Sequence, residues 1–317
     1  MSVNTKGCLK ASLIGCGSIA FLSFVLFILV LLFSTNFSFD TSDTIKTDGN
    51  FSIKDSSLAF NEIVTTKYSW LFVDEFLKTK KVSVTLDILK KDVDDALNYL
   101  ETIGKMSYKE LGVKNSNQYN DPLFESKEVW DKIYRRVYSQ GIPQFEKISD
   151  GFNKIFSSEN LSPKNRILFL ITFVQNIEYK RPGGSLDLLP PIATLAKKFG
   201  DCDTKALLLY ILLEKIKVDC VLFWSYNYKH AMLGVALNAS GDYKTYRGRK
   251  YYFLETTYPN WGVGQLAPDT DNLNYWYTTD LDDNLQNENY FDETEFQQKD
   301  DQNKSERKNN KPSPARH

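Results

Sequence analysis

Between Tyr68 and Ile88 the chain reads YSWLFVDEFLKTKKVSVTLDI, and Val82, Val84 and Leu86 alternate with Ser83, Thr85 and Asp87. A period of two is that of a half-buried strand, so the stretch predicts a hairpin. Beyond it the apolar spacing lengthens to three and four. LKKDVDDALNYLETI (89–103), SKEVWDKIYRRVYSQGI (126–142) and QFEKISDGFNKIFSSE (144–159) each predict a helix. SPKNRILFLITFVQNIEYK (162–180) predicts a fourth, with Ser162 as N-cap and Pro163 at the first helical position. RPGGSLDLLPP (181–191) is a loop by composition, and IATLAKKFG leads from it to FGDCDTKALLL (199–209). From Asp203 to Lys217 nearly every face is apolar, which predicts a helix buried on all sides. Three strand-like runs follow, VDCVLFW (218–224), HAMLGVAL (230–237) and RKYYFLE (249–255), the last two separated by the polar turn NASGDYKTYRG. After Pro268 acidic residues outnumber basic ones two to one among many Asn and Gln, which predicts a disordered polar tail over 268–317. Helices followed by antiparallel strands make an α+β fold.

The N-terminal end has a different pattern. No charge occurs between Lys10 and Asp40. The apolar stretch 11–34 is long enough, at about 1.5 Å per residue, to cross a hydrocarbon core of about 30 Å. It is longer than a secretory signal core and its exit, LLFSTNFSFD, offers no Ala-x-Ala site. LIGC (13–16) has a lipoprotein-like order of residues, but the long apolar run lies after Cys16 and not before it. The reading is a single transmembrane signal anchor. Lys6 and Lys10 before it and Asp40 and Asp43 after it leave residues 1–10 cytoplasmic and put the remainder outside, periplasmic or at the cell surface. Residues 35–60 read as a stalk, and 61–160 as the hairpin with a helical lead-in.

Composition narrows the chemistry. Lys and Arg number 39 against 40 Asp and Glu, a net charge of −1, and no basic stripe interleaved with aromatics points to nucleic acid. The cysteines are at 8, 16, 202 and 220, and the only histidines are His230 and the terminal His317. No set of ligands at zinc spacing and no calcium-ligand cluster is present, so no metal and no cofactor are expected. A Cys–His pair in the folded part has to use His230.

Cys202 follows Gly200-Asp201 at a helix start, where free N–H groups and the helix dipole favour a thiolate, which the flanking Asp201 and Asp203 oppose if they point at the sulfur. On this reading Gly200 makes the turn and Asp201 caps the helix. Cys202 is then a nucleophile, or else a packed cysteine after a turn. His230 begins a strand and Glu255 ends the next one, so an antiparallel pairing brings imidazole and carboxylate together. A carboxylate-held histidine is what a thiol nucleophile needs. Taken singly, His230 reads equally as a satisfied sheet histidine, and Glu255 as a solvated strand end. Cys220, in VDCVL, reads as core, and a Cys202–Cys220 disulfide is the less favoured state.

Cys, His and acid at gaps of 28 and 25 residues, on helix, strand and strand, resemble the transglutaminase-like core, a permuted relative of the papain-like cysteine protease fold. GDCDTKALLLYILLEKIKVDCVLF is similar to the nucleophile helix and following strand of that superfamily. HAMLGVAL is similar to its histidine strand, and YYFLETTYPNWGVGQL to its acid strand and closing turn. FVQNIEYK (173–180) is similar to the segment before the cysteine. The Glu-x-Thr acid strand is similar to that of a bacterial and archaeal membrane-anchored subgroup. The resemblance spans roughly 160–266 and implies a core at 161–267, in which the nucleophile helix packs on an antiparallel sheet. It implies catalytic Cys202, His230 and Glu255, and an oxyanion site from the Cys202 N–H and the Gln175 amide. Gln175 reads equally as a polar residue on an exposed helix face. Trp224 and Tyr228, with Tyr226, and Trp261 with Asn260 are candidates for lining the substrate cleft; aromatics there also serve packing.

The expected function is a membrane-anchored, extracytoplasmic thiol acyl-transfer enzyme that hydrolyses peptide or protein amides. The alternatives are a protein cross-linking transglutaminase and a non-catalytic binding or scaffold domain of the cell envelope. The expected partners are a protein or peptide substrate and the membrane. The sequence does not set the oligomeric state.

Overall fold

A computed structural model describes residues 47–54, 59, 62–112 and 126–282. The expected membrane segment 11–34 and residues 283–317 of the expected tail lie outside these. Among the described residues no helix is long and apolar enough to cross a membrane.

The fold is mixed α and β. Strands β1 (Thr47–Ile53), β2 (Ile63–Val73) and β3 (Thr79–Leu89) form a three-stranded sheet in the order β1-β3-β2. The predicted hairpin is β2–β3, antiparallel from Ile63↔Leu89 to Val73↔Thr79. Its inner face carries Tyr68, Trp70, Phe72, Val82, Val84, Leu86 and Ile88, all buried, while the alternate residues face out. The expected irregular stalk is corrected over 47–53. This segment is strand β1, pairing in parallel with β3 and filling the core with Ile53.

Helices α1 (Lys90–Gly104), the short α2 (Tyr108–Leu111), α3 (Lys127–Gly141) and α4 (Glu146–Ser158) form the lead-in. α5 (Pro163–Gln175) begins at Ser162, whose hydroxyl accepts the Asn165 N–H, with proline next as predicted. Phe169 and Phe173 of α5 pack edge-on and tilted against Tyr68, Trp70 and Phe72, at ring distances of 5.0–5.5 Å. Then come β4 (Glu178–Tyr179), α6 (Pro191–Lys197), β5 (Phe199–Gly200) and α7 (Cys202–Glu214). α7 is buried without a break from Thr204 to Leu213, as its all-round apolar pattern predicts. It lies between α5, α6 and a second sheet.

That sheet contains β6 (Cys220–Ser225), β7 (His230–Val235), β8 (Tyr243–Tyr246), β9 (Arg249–Leu254) and β10 (Tyr277–Thr279), antiparallel in the order β10-β6-β7-β9-β8. Cys220, Leu222 and Trp224 join the core shared with α7. Val221, Phe223, Met232 and Phe253 form a second layer on the opposite face, closed by Trp276.

Two expectations fail here. The polar turn contains β8, because Arg247 and Gly248, both at positive φ, make a two-residue hairpin turn between Tyr246 and Arg249. The tail is not disordered over 268–282. Trp276 is buried among Tyr228, Phe253 and His230, and β10 pairs with β6. Aromatic burial outweighs the polar average of the segment.

Candidate active site

The left-handed backbone at Lys198 (φ 64°) ends α6 and turns the chain into β5. Gly200 was expected to make this turn, but it is needed for packing instead. A Cβ there would lie 2.6 Å from the Thr204 methyl. Asp201 caps α7 by accepting the Thr204 N–H, as expected. Cys202 is therefore the first residue of the helix, and it is half-buried. Cys202 and Cys220 are both free thiols, and Cys220 is buried in the core.

β7 and β9 pair antiparallel, so His230 at the start of one meets Glu255 just past the end of the other. His230 Nε2 and Glu255 Oε2 are 2.7 Å apart. The extra methylene of glutamate is accommodated because Thr257 holds the second oxygen. Its N–H and hydroxyl reach Oε1 at 2.7 and 2.6 Å. Burial pushes the Glu255 carboxyl up, but the His230 and Thr257 hydrogen bonds outweigh it and hold the group below the ordinary carboxylate range. Glu255 is an anion that fixes Nε2 as the ring's N–H, which leaves Nδ1 for proton transfer.

Cys202 and His230 line one cavity of about 360 Å³. Trp224, expected there, is present, as is Tyr226. Trp224 is held in place by β10, its indole N–H bonding Thr279 Oγ1 at 3.1 Å and its ring packing on Tyr277 at 4.7 Å. Trp130 and Tyr134, not anticipated, wall the cavity from α3. Their spacing of four residues, which puts them on one helix face, was the available signal. Tyr179 lines the cavity as well.

Two cleft candidates belong elsewhere. Tyr228 packs on Tyr275 and Trp276, and its hydroxyl accepts the Asn272 N–H. Trp261 packs on Tyr258 and donates to the Gln265 carbonyl. Neither lines the cavity. A larger cavity of about 620 Å³ lies among β1, β3 and α4 and holds no cysteine or histidine.

The opposition expected from the flanking aspartates is present. Burial pushes the Cys202 thiol well up, and Asp203 and Asp201 push it further. These act against the thiolate that the helix terminus favours by about 0.3–1 kcal/mol. Asp203 is itself raised by burial, by the charge of Asp201 and by a hydrogen bond to it, and it accepts the Tyr134 hydroxyl at 3.2 Å.

Gln175 is also reassigned. It is buried, and its amide nitrogen donates to the carbonyls of Glu255 and Trp261, both at 2.9 Å. With both hydrogens engaged it positions the acid strand and has none to give an oxyanion. Behind it lies Lys205, fully buried on α7, donating to the carbonyls of Gln175 (3.2 Å) and Ile177 (2.7 Å). Lys205, Gln175, Glu255 and His230 thus form one chain of contacts from the nucleophile helix to the base. Lys205 is the one basic residue of α7, set beside its long apolar run, and that was the available signal.

Burial lowers the Lys205 pKa from 10.5 to about 8, against the pull of Glu255. A lysine with a depressed folded-state pKa penalises the fold while charged. The penalty is full below pH 8 and relieved as pH rises to 10.5. Wild type is therefore expected to gain stability relative to Lys205→Met across that window. Urea midpoints of both proteins at a series of pH values test this, and a constant difference would contradict it.

Among the described residues no group of three or more His, Cys, Asp or Glu is arranged to hold a metal ion. Comparisons of the chain with protein-family models, with curated proteins and with solved structures find no match, so the site is read from its own geometry.

Proposed function

We propose that residues 161–267 are a transglutaminase-like core, and that the chain is a membrane-anchored, extracytoplasmic thiol acyltransferase hydrolysing peptide or protein amides. The observation that carries this is Glu255 holding His230 at 2.7 Å, with Cys202 opening on the same cavity. The order of the three residues along helix, strand and strand supports it, as do the motifs that bear the resemblance. The anchor rests on the uncharged apolar stretch 11–34.

On this reading the thiol is deprotonated only when it attacks. Cys202 Sγ bonds to the carbonyl carbon as His230 Nδ1 takes the thiol proton. The oxyanion turns toward the Cys202 N–H, the first of α7, which has no intrahelical partner. His230 passes the proton to the leaving amine as the C–N bond breaks, leaving a thioester. Water then attacks the thioester carbon, giving one proton to Nδ1, and the C–S bond breaks as that proton passes to sulfur and the carboxylic acid leaves. An amine in place of water makes the same enzyme a cross-linker.

A second reading, a non-catalytic binding domain, is favoured by the burial and the flanking aspartates that push the thiol pKa up. The activated ester p-nitrophenyl acetate separates the two. The enzyme gives a stoichiometric burst of p-nitrophenolate that is absent in Cys202→Ala. A burst that survives in Cys202→Ala, or no burst in wild type, contradicts the enzymatic reading.

A further inference from the structure

Of the seven large hydrophobic residues exposed among the described residues, four are tyrosines. The other three, Leu71, Phe76 and Leu77, lie together at one end of the β2–β3 hairpin. Phe76 is 72% and Leu77 84% exposed. Neither is left out by a loose turn. Asp74 Oδ1 accepts the N–H groups of Phe76 and Lys78 at 2.9 and 2.8 Å, and the Asp74 N–H meets the Lys78 carbonyl at 2.9 Å. Glu75 ties the turn to the start of α5, its carboxylate taking the Ser162 hydroxyl (2.5 Å) and the Asn165 amide (3.2 Å). Leu77 has a φ of 61°, a conformation that suits glycine or asparagine, yet its side chain gains no burial in return. Folding gives no reason for a leucine there.

The chain enters the fold at this same end. Across the sheet Thr47, Lys81 and Leu71 form one row, because β1 runs parallel to β3. Only residues 35–46 separate the apolar stretch 11–34 from Thr47, a span of at most about 40–43 Å when fully extended. Lys78 and Lys81 are exposed beside the apolar tip, while Lys80 is paired with Glu159. Apolar side chains at an apex with lysines behind them match a bilayer interface bearing anionic headgroups.

We propose that Phe76 and Leu77 insert into the interface of the anionic bilayer that anchors the chain, with Lys78 and Lys81 on its headgroups. This rests on the membrane-anchor reading of residues 11–34, and it orients the domain with the β2–β3 tip against the membrane. The test uses the full chain reconstituted into vesicles of equimolar phosphatidylcholine and phosphatidylglycerol, with or without acyl chains brominated near the headgroup. Phe76→Trp places an indole at the tip, where no packing is disturbed. Compared with wild type, the added emission is expected to be blue-shifted and mostly lost to bromine quenching. Lys78→Glu/Lys81→Glu in that background is expected to restore much of it. If the protein floats with the vesicles and resists alkaline extraction but the added emission is red-shifted and unquenched, the tip proposal is overturned and the anchor stands. A protein that does not float with the vesicles overturns both.

Discussion

His230→Ala is expected to slow acylation of Cys202 by about 10²–10⁴-fold at neutral pH, the range of a positioned general base. The size follows from the state of the thiol. Burial and the flanking aspartates favour the protonated sulfur, so without the imidazole little nucleophile is available. A preformed thiolate would lose far less. The pH dependence has a definite sign, because the raised thiol pKa makes thiolate scarce until alkaline pH. The rate of His230→Ala should climb with pH as thiolate forms unaided, and the gap to wild type should narrow. A release assay with p-nitrophenyl acetate across pH reads both quantities. A gap that does not change with pH would mean that His230 acts otherwise than as the base.

Trp276→Ala is expected to cost about 3–5 kcal/mol of folding stability, the range for truncating a buried large aromatic. Trp276 is 2% exposed, in a segment whose average composition suggests disorder. Its ring packs on Phe253 at 5.4 Å and Tyr228 at 5.6 Å, and on His230 at 6.1 Å. Its N–H bonds the Thr270 carbonyl at 2.9 Å. Losing it uncovers the outer face of the second sheet and frees β10, the strand that holds Trp224 in the cleft. The urea midpoint is expected to fall and the acylation rate with it. An unchanged midpoint would return residues 268–282 to the status of a tail.

The parts of this fold legible in the sequence are those where one face decides the pattern. Val82, Val84 and Leu86 announce β3, and the unbroken apolar run after Asp203 announces a helix buried on all sides. His230 and Glu255 meet because antiparallel pairing leaves no other arrangement for the start of one strand and the end of the next. The misses have physical causes. β1 is an edge strand whose sequence, TDGNFSI, shows little alternation. β10 is three residues long, and its burial comes from the neighbouring Trp276, which a window average hides.

For the thiol, the helix start and its flanking aspartates are visible in sequence, whereas how far each bears on the sulfur depends on burial, which is not. Gln175 was placed on the correct element, but which carbonyls its amide would meet depends on Glu255 and Trp261, more than seventy residues away. Thr257 stood in plain view within Glu-x-Thr, and its role emerged only when both its donors were seen on the carboxylate.

The triad is tested most directly by a double-mutant cycle on the Cys202 acylation rate, using wild type, His230→Ala, Glu255→Ala and the double variant. If Glu255 acts through the imidazole, Glu255→Ala slows acylation on its own, and adding it to His230→Ala costs nothing more. Single effects that multiply in the double variant, or a Glu255→Ala rate equal to wild type, would contradict a Cys202–His230–Glu255 unit.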